Sequence, residues 1–247
     1  MLQNFESIVL IWLGIGFITF ITLLKIPAPY GKFSKTNWGP MIPSKLGWIV
    51  MEIISPLALL YFFLNGNIEK TPTNITFISL WTLHYFNRSV IYPLRQNNPA
   101  QMPLIIAVLA FLFNVMNGYI NGTYFGSIQE YSAEYMSNWN FIVGVFLFII
   151  GAYINIKSDN ILLSLRSKSG EYKIPEGFMF RYVSFPNYFG EILEWMAFAI
   201  MTWSLAGLSF MIWTMANLVP RAIKGHQWYH NKFESYPKNR KAIFPFI

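Results

Sequence analysis

Five stretches of this sequence stay apolar for about the length of a bilayer crossing: residues 7–24, 46–64, 74–92, 103–120 and 140–156. A transmembrane helix needs roughly 20 mostly apolar residues, so each run predicts one. Composition points the same way. The chain is 54% hydrophobic and 12% charged, where soluble domains hold about a quarter charged residues. A soluble fold has nowhere to bury that much apolar surface, so the sequence predicts an integral membrane protein. The first run, SIVLIWLGIGFITFITLL, lacks a basic start and a small-residue cleavage site and continues into KIPAPYGK. It reads as a retained first helix. The chain has no cysteine, which excludes disulfides, cysteine nucleophiles and zinc–thiolate sites. Three histidines leave little room for a metal cluster, so no metal is expected. No repeat or linker divides the chain, and one domain over 1–247 is expected.

The segment 187–219 is too long for one comfortable crossing and short for two, and charge decides between them. Lys25, Lys32, Lys35 and Lys45 follow the first run, and Arg95 follows the third. Lys157, Arg166, Lys168, Lys173 and Arg181 follow the fifth, and Arg221, Lys224, Lys232, Lys238, Arg240 and Lys241 fill the tail. The alternate loops, 65–73 and 121–139, hold only Lys70 against Glu69, Glu130 and Glu134. Cytoplasmic loops carry the excess of Lys and Arg. The tail joins that side only if 187–219 crosses twice, turning near Ser204–Gly207. The expected fold is therefore all-α, with seven transmembrane helices (the last two near 187–203 and 206–219), N-terminus outside and C-terminus cytoplasmic. The net charge of +7 then belongs to cytoplasmic loops rather than to nucleic-acid binding. Two basic, aromatic segments, 157–186 and 220–247, are expected to cap a pocket for an anionic cofactor.

Ionisable residues inside the spans are the next signal. An acid or arginine at a helix centre costs about 2.5–3.5 kcal/mol on insertion scales, so such residues need partners and mark function. Glu52 sits mid-helix, with Trp48 one turn earlier. Tyr85, Arg88 and Tyr92 fall on one helical face, with His84 about a quarter-turn away. Asn155 and Asp159, and Asn187 and Glu191, are pairs four residues apart, with Glu194 and Trp195 a turn further in. Each has a structural alternative: Arg88 could pair with Glu52 or Glu191, Asn155 could join two helices, and Trp48 could anchor at the interface. As a set they describe a polar cavity open to the cytosol.

Taken out of water, a carboxyl group favours its protonated form. A protonated Glu52 beside the Tyr85 hydroxyl is a pair of hydrogen-bond donors suited to a carbonyl oxygen on an apolar substrate, where charge builds as an enolate forms. That fits reduction of an enone, with hydride to the β-carbon and a proton to the α-carbon, and it calls for a nicotinamide dinucleotide. No G-x-G-x-x-G follows a strand, so no Rossmann domain is expected. Phosphates would fall to Arg88, Arg95, Arg166 and Arg221.

Several motifs, in order, resemble the steroid 5α-reductases (3-oxo-5α-steroid 4-dehydrogenases): LHYFNR (83–88), VGVFLFIIGAYINIKSD (143–159), YKIPEGFMFRYVSFPNYFGEILEW (172–195), TWSLAG (202–207) and KFESYPKNRKAIFPF (232–246). The resemblance implies a seven-helix membrane enzyme that uses NADPH to reduce the C4–C5 double bond of 3-oxo-Δ4 steroids, hydride to C5 and proton to C4. It implies that Glu52 and Tyr85 hold the C3 ketone and that Trp48 lines the steroid slot beside Met51. It places Asn187 and Glu191 at the nicotinamide end, and Arg88, Arg95, Asn155, Asp159, Arg166, Tyr172, Arg221 and Tyr229 around the ribose, phosphates and adenine. His84 is expected to be packing. Two departures stand out. Met51 occupies a position where the family commonly has glutamine, and the basic, histidine-rich turn after Arg221 is reduced to KGHQ (224–227).

Other readings keep the same spans. Trans-2-enoyl-CoA and polyprenol reductases share the C-terminal architecture and the hydride chemistry. Isoprenylcysteine methyltransferases, which use S-adenosylmethionine, carry His-Pro-x-Tyr-x-Gly where this chain has Phe185-Pro186-Asn187-Tyr188-Phe189-Gly190. A lipid-binding protein with a degenerate site is the non-catalytic alternative. The expected partners are a steroid or sterol-like lipid and the bilayer, with no obligate protein partner, in a bacterial cytoplasmic or endoplasmic reticulum membrane.

Overall fold

The computed structural model describes residues 2–96, 100–165 and 172–245. Its helices are α1 (Leu2–Lys25), α2 (Ser44–Leu64), α3 (Pro72–Phe86), α4 (Tyr92–Leu94), α5 (Leu104–Thr123), α6 (Trp139–Leu165), α7 (Pro186–Thr202) and α8 (Leu205–Lys232). Among the described residues the only named strands are β1 (Met41–Pro43) and β2 (Gln101–Pro103), which pair antiparallel, and there is no doubly wound sheet. Four helical stretches, Gln3–Lys25, Ser44–Leu64, Leu104–Ile128 and Trp139–Leu165, are long and apolar enough to cross a membrane. Large apolar side chains such as Leu10, Ile11, Phe17 and Ile18 on α1 face outward, as lipid-exposed residues do.

The chain forms two compact units. The first takes in Ala28–Ile142 and the N-terminal end of α1 up to Phe5. Here α5 comes close to the α2 backbone at Gly118 and Gly122, because small residues let the helices approach. A Cβ on Gly122 would lie 2.6 Å from the Leu59 carbonyl oxygen. Thr71 caps α3 by accepting the Asn74 amide at 3.3 Å, Pro72 opens its first turn, and the Thr71 hydroxyl donates to the Tyr131 carbonyl at 2.6 Å. Trp81 on α3 donates its indole N–H to the Ser55 hydroxyl of α2 at 3.1 Å. Beyond Phe86 the helix widens into a π-helical turn, Asn87–Ile91, before the single turn of α4. Such a bulge re-aims the side chains beyond it and recurs at functional sites.

The second unit takes in Glu6–Pro27 and the chain from Val143 onward. Residues 187–219 form two helices rather than one, as the charge pattern predicts. Trp203 breaks them in the left-handed region (φ 45°), and Ser204 caps α8 by accepting the Gly207 amide at 3.0 Å. Both α6 and α8 outrun the expected spans: α6 continues to Leu165 and α8 to Lys232. Apolarity ends where the bilayer would, but helix formation does not. Ala222, Gly225 and Tyr229 still bury a stripe at helical spacing, which rewards the extra turns of α8. That stripe packs under the C-terminal segment, where Tyr229, Tyr236, Phe185, Ile192 and Ile243 share one core. The segment is laced to the residues before α7: Ser184 N–H donates to the Lys241 carbonyl at 2.9 Å and Lys241 N–H to the Tyr182 carbonyl at 2.9 Å.

Candidate active site

In the first unit, Asn114 organises the polar residues. This buried side chain on α5 donates from Nδ2 to the Met51 carbonyl of α2 at 2.6 Å. Its Oδ1 accepts from the Tyr85 hydroxyl at 3.4 Å. Tyr85 and Met51 are both buried, and Glu52, the next residue along α2, is half-buried. Trp81 stacks on Tyr85 at 5.7 Å, and His84 meets it edge-on at 5.2 Å. Arg88, on the π-helical turn, lays its guanidinium over two rings: Trp48 at 5.4 Å and Tyr92 at 5.2 Å. Arg95 is exposed at the end of α4.

In the second unit, four sequence-predicted residues form one network. Asn155 donates to the Asn187 carbonyl at 2.9 Å and to Glu191 Oε2 at 3.5 Å. Asn187 Nδ2 donates to Asp159 Oδ1 at 3.0 Å. The close contact of α6 with α7 makes this possible. Gly151 and Gly190 face each other, and a Cβ on Gly190 would lie 2.5 Å from the Asn155 nitrogen. Asn187 Oδ1 is buried without a hydrogen-bond partner among the described residues. A buried acceptor left unpaired costs about 1–3 kcal/mol, so the network suits a ligand with an amide donor, as a nicotinamide carboxamide has. Arg221 donates from Nε to the Tyr188 hydroxyl at 3.1 Å, which fixes a cation suited to phosphate. Tyr172 is exposed and meets Trp228 edge-on at 5.1 Å. Tyr229 is buried and stacks on Tyr236 at 5.1 Å. Arg166 lies outside the described residues.

Two groups escaped the sequence reading. Asn114 had a usable signal, since it is an amide inside an apolar run, with Asn117 and Asn121 after it on the same helix. The other group joins distant parts of the second unit. The Ser184 hydroxyl lies 2.6 Å from both His226 Nδ1 and the Tyr236 hydroxyl, and the His226 and His230 rings lie 4.5 Å apart. Burial, and secondarily the charge of His230, lower the His226 pKa. The folded state therefore binds fewer protons than the unfolded chain below the ordinary histidine value of about 6.5. Its stability contribution is whole above that value and is lost as pH falls through it. The melting temperature is expected to drop between pH 7.5 and 5.5, and His226→Asn to flatten that slope; a slope unchanged in the variant would refute the assignment.

A family model described as 3-oxo-5-alpha-steroid 4-dehydrogenase matches residues 100–247. The chain is 43% identical to steroid 5-alpha-reductase DET2 of Gossypium hirsutum over 238 residues, covering 93% of this chain and 92% of that protein. It is 43% identical to DET2 of Arabidopsis thaliana over 241 residues, covering 93% and 91%. To 3-oxo-5-alpha-steroid 4-dehydrogenase 1 of Rattus norvegicus it is 37% identical over 237 residues, covering 94% and 91%.

Proposed function

The chain belongs to the 3-oxo-5-alpha-steroid 4-dehydrogenase family, whose members are oxidoreductases, and from that premise we propose that it reduces the C4–C5 double bond of 3-oxo-Δ4 steroids with NADPH, giving 5α-3-oxosteroids. The observation that carries the reading is similarity to proteins named for this reaction over more than nine-tenths of the chain, including the helices that bear Glu52 and Tyr85. Bound NADPH supplies the hydride that reaches C5. Tyr85 and protonated Glu52 donate to the C3 ketone and hold the negative charge that builds on its oxygen while C4 takes a proton. Trp48 and Met51 line the steroid slot.

Cofactor binding draws on the network of Asn155, Asp159, Asn187 and Glu191, whose unpaired buried acceptor supports an amide-bearing ligand. Arg88, Arg95, Arg166 and Arg221 supply cations for its phosphates, and Tyr172 and Tyr229 supply aromatic contact. Spare cations favour the 2′-phosphate of NADPH over NADH. Turnover of a 3-oxo-Δ4 steroid by the purified protein in detergent tests the whole reading. A 5α-product formed with NADPH, and at least tenfold more slowly with NADH, is the expected result. Failure to bind NADPH would sink it and turn the search to S-adenosylmethionine. Binding without steroid reduction would favour an enoyl-CoA or polyprenol-type substrate.

Seven crossings, with the N-terminus outside and the cofactor arriving from the cytoplasm, complete the proposal. The absence of native cysteine makes this simple to check. With the protein expressed in a bacterial cytoplasmic membrane, a maleimide that does not cross that membrane should label Glu134→Cys in intact cells, and it should label Glu234→Cys only after permeabilisation. The reverse pattern would overturn the orientation.

A further inference from the structure

Pro56 lies inside α2. Proline has no N–H to donate to the carbonyl four residues earlier, and its ring crowds that carbonyl. The carbonyl in question is that of Glu52. The turn after Glu52 therefore lacks one of the backbone bonds that a helix without proline would supply. Asn114 reaches this turn from α5 and donates to the Met51 carbonyl at 2.6 Å. With Nδ2 committed there, Oδ1 is left to face Tyr85, whose hydroxyl donates to it at 3.4 Å. One buried amide thus joins the backbone beside Glu52 to the hydroxyl of Tyr85. The bond to Met51 is short and the bond to Tyr85 is long for its type. The first fixes the amide. The second gives the buried Tyr85 hydroxyl an acceptor, and is long enough to be exchanged for a shorter bond to a substrate oxygen.

We propose that Asn114 is a positioning residue for the reaction: it sets the spacing of Glu52 and Tyr85 and accepts the Tyr85 hydrogen bond until a substrate carbonyl accepts it instead. This rests on the ketone-reducing role given above to Glu52 and Tyr85. It goes beyond that role by naming a third residue that touches neither hydride nor ketone. A structural asparagine is the competing explanation, since an amide inside a membrane helix bundle often serves packing alone. The two predict different couplings. A packing amide costs stability whatever residue 85 is, whereas a positioning amide loses its effect on turnover once the hydroxyl it positions is gone.

The experiment is a double-mutant cycle on the purified full-length protein. Wild type, Asn114→Leu, Tyr85→Phe and the double variant are compared for kcat and KM on a 3-oxo-Δ4 steroid at saturating NADPH. The NADPH Kd is measured alongside as a check on folding. Asn114→Leu is expected to lower kcat roughly 10- to 100-fold with KM changed less than threefold and NADPH Kd within twofold. The double variant is expected within about threefold of Tyr85→Phe alone, because groups that act as a unit are not additive. If Asn114→Leu does not accumulate, Asn114→Ser, too short to make both bonds, takes its place in the cycle. Losses that multiply in the double variant would overturn this inference and leave the proposed reaction standing. A wild-type protein that reduces no 3-oxo-Δ4 steroid would overturn both.

Discussion

Tyr85→Phe lowers kcat/KM for a 3-oxo-Δ4 steroid by about 10²–10³-fold, the cost of removing one donor from a developing oxyanion, and most of the loss falls in kcat. The reason is differential: the hydroxyl meets a neutral ketone oxygen in the ground state and an oxygen gathering negative charge in the transition state. Glu52→Gln is milder, about 10–10²-fold, because the amide still offers an N–H while no longer being an acid. Glu52→Leu, which offers nothing, should match Tyr85→Phe. NADPH affinity is the control and should move less than threefold in all of them. Steady-state kinetics with a direct NADPH titration decide it. Tyr85→Phe keeping more than half of wild-type turnover would remove Tyr85 from the chemistry.

Gly190→Val weakens NADPH binding by roughly 10- to 100-fold, without altering a polar side chain. A Cβ at this position would lie 2.5 Å from the Asn155 nitrogen and 2.7 Å from the Gly151 carbonyl oxygen, both backbone atoms that cannot rotate away. So α6 and α7 must separate. Overpacking of this kind costs about 1–3 kcal/mol. The separation pulls apart the bonds from Asn155 to the Asn187 carbonyl and from Asn187 to Asp159, now at 2.9 Å and 3.0 Å. Gly190→Ala should follow in the same direction, because the first carbon already collides. Fluorescence titration with NADPH measures both variants, and an affinity within twofold of wild type for Gly190→Val would detach this network from the cofactor.

How much was legible in the sequence differs by physical cause. The five apolar runs fall on α1, α2, α3, α5 and α6, and the turn read near Ser204–Gly207 from basic-residue asymmetry lies beside the break between α7 and α8 at Trp203–Ser204. Hydropathy reports where a bilayer fits rather than where a helix stops, so the ends of α6 and α8 were missed. The pairs spaced four apart, Asn155 with Asp159 and Asn187 with Glu191, were found because one helical turn brings such residues together, and they do share one network. The face drawn through Tyr85, Arg88 and Tyr92 assumed an unbroken α-helix. The π-helical turn at Asn87–Ile91 shifts the residues beyond it, and Arg88 packs between Trp48 and Tyr92. Asn114, Ser184 and the strap from Lys241 depend on contacts between residues far apart in sequence, which no local period encodes.

The most direct measurement of the central claim is the position of hydrogen delivered to the product. The purified protein is given a 3-oxo-Δ4 steroid and NADPH bearing deuterium at its transferable position, and the product is resolved by mass spectrometry and NMR. The account predicts a 5α-3-oxosteroid with one deuterium at C5 and solvent-derived hydrogen at C4. A product with no deuterium at C5, or a steroid returned unreduced while NADPH is bound, would contradict it.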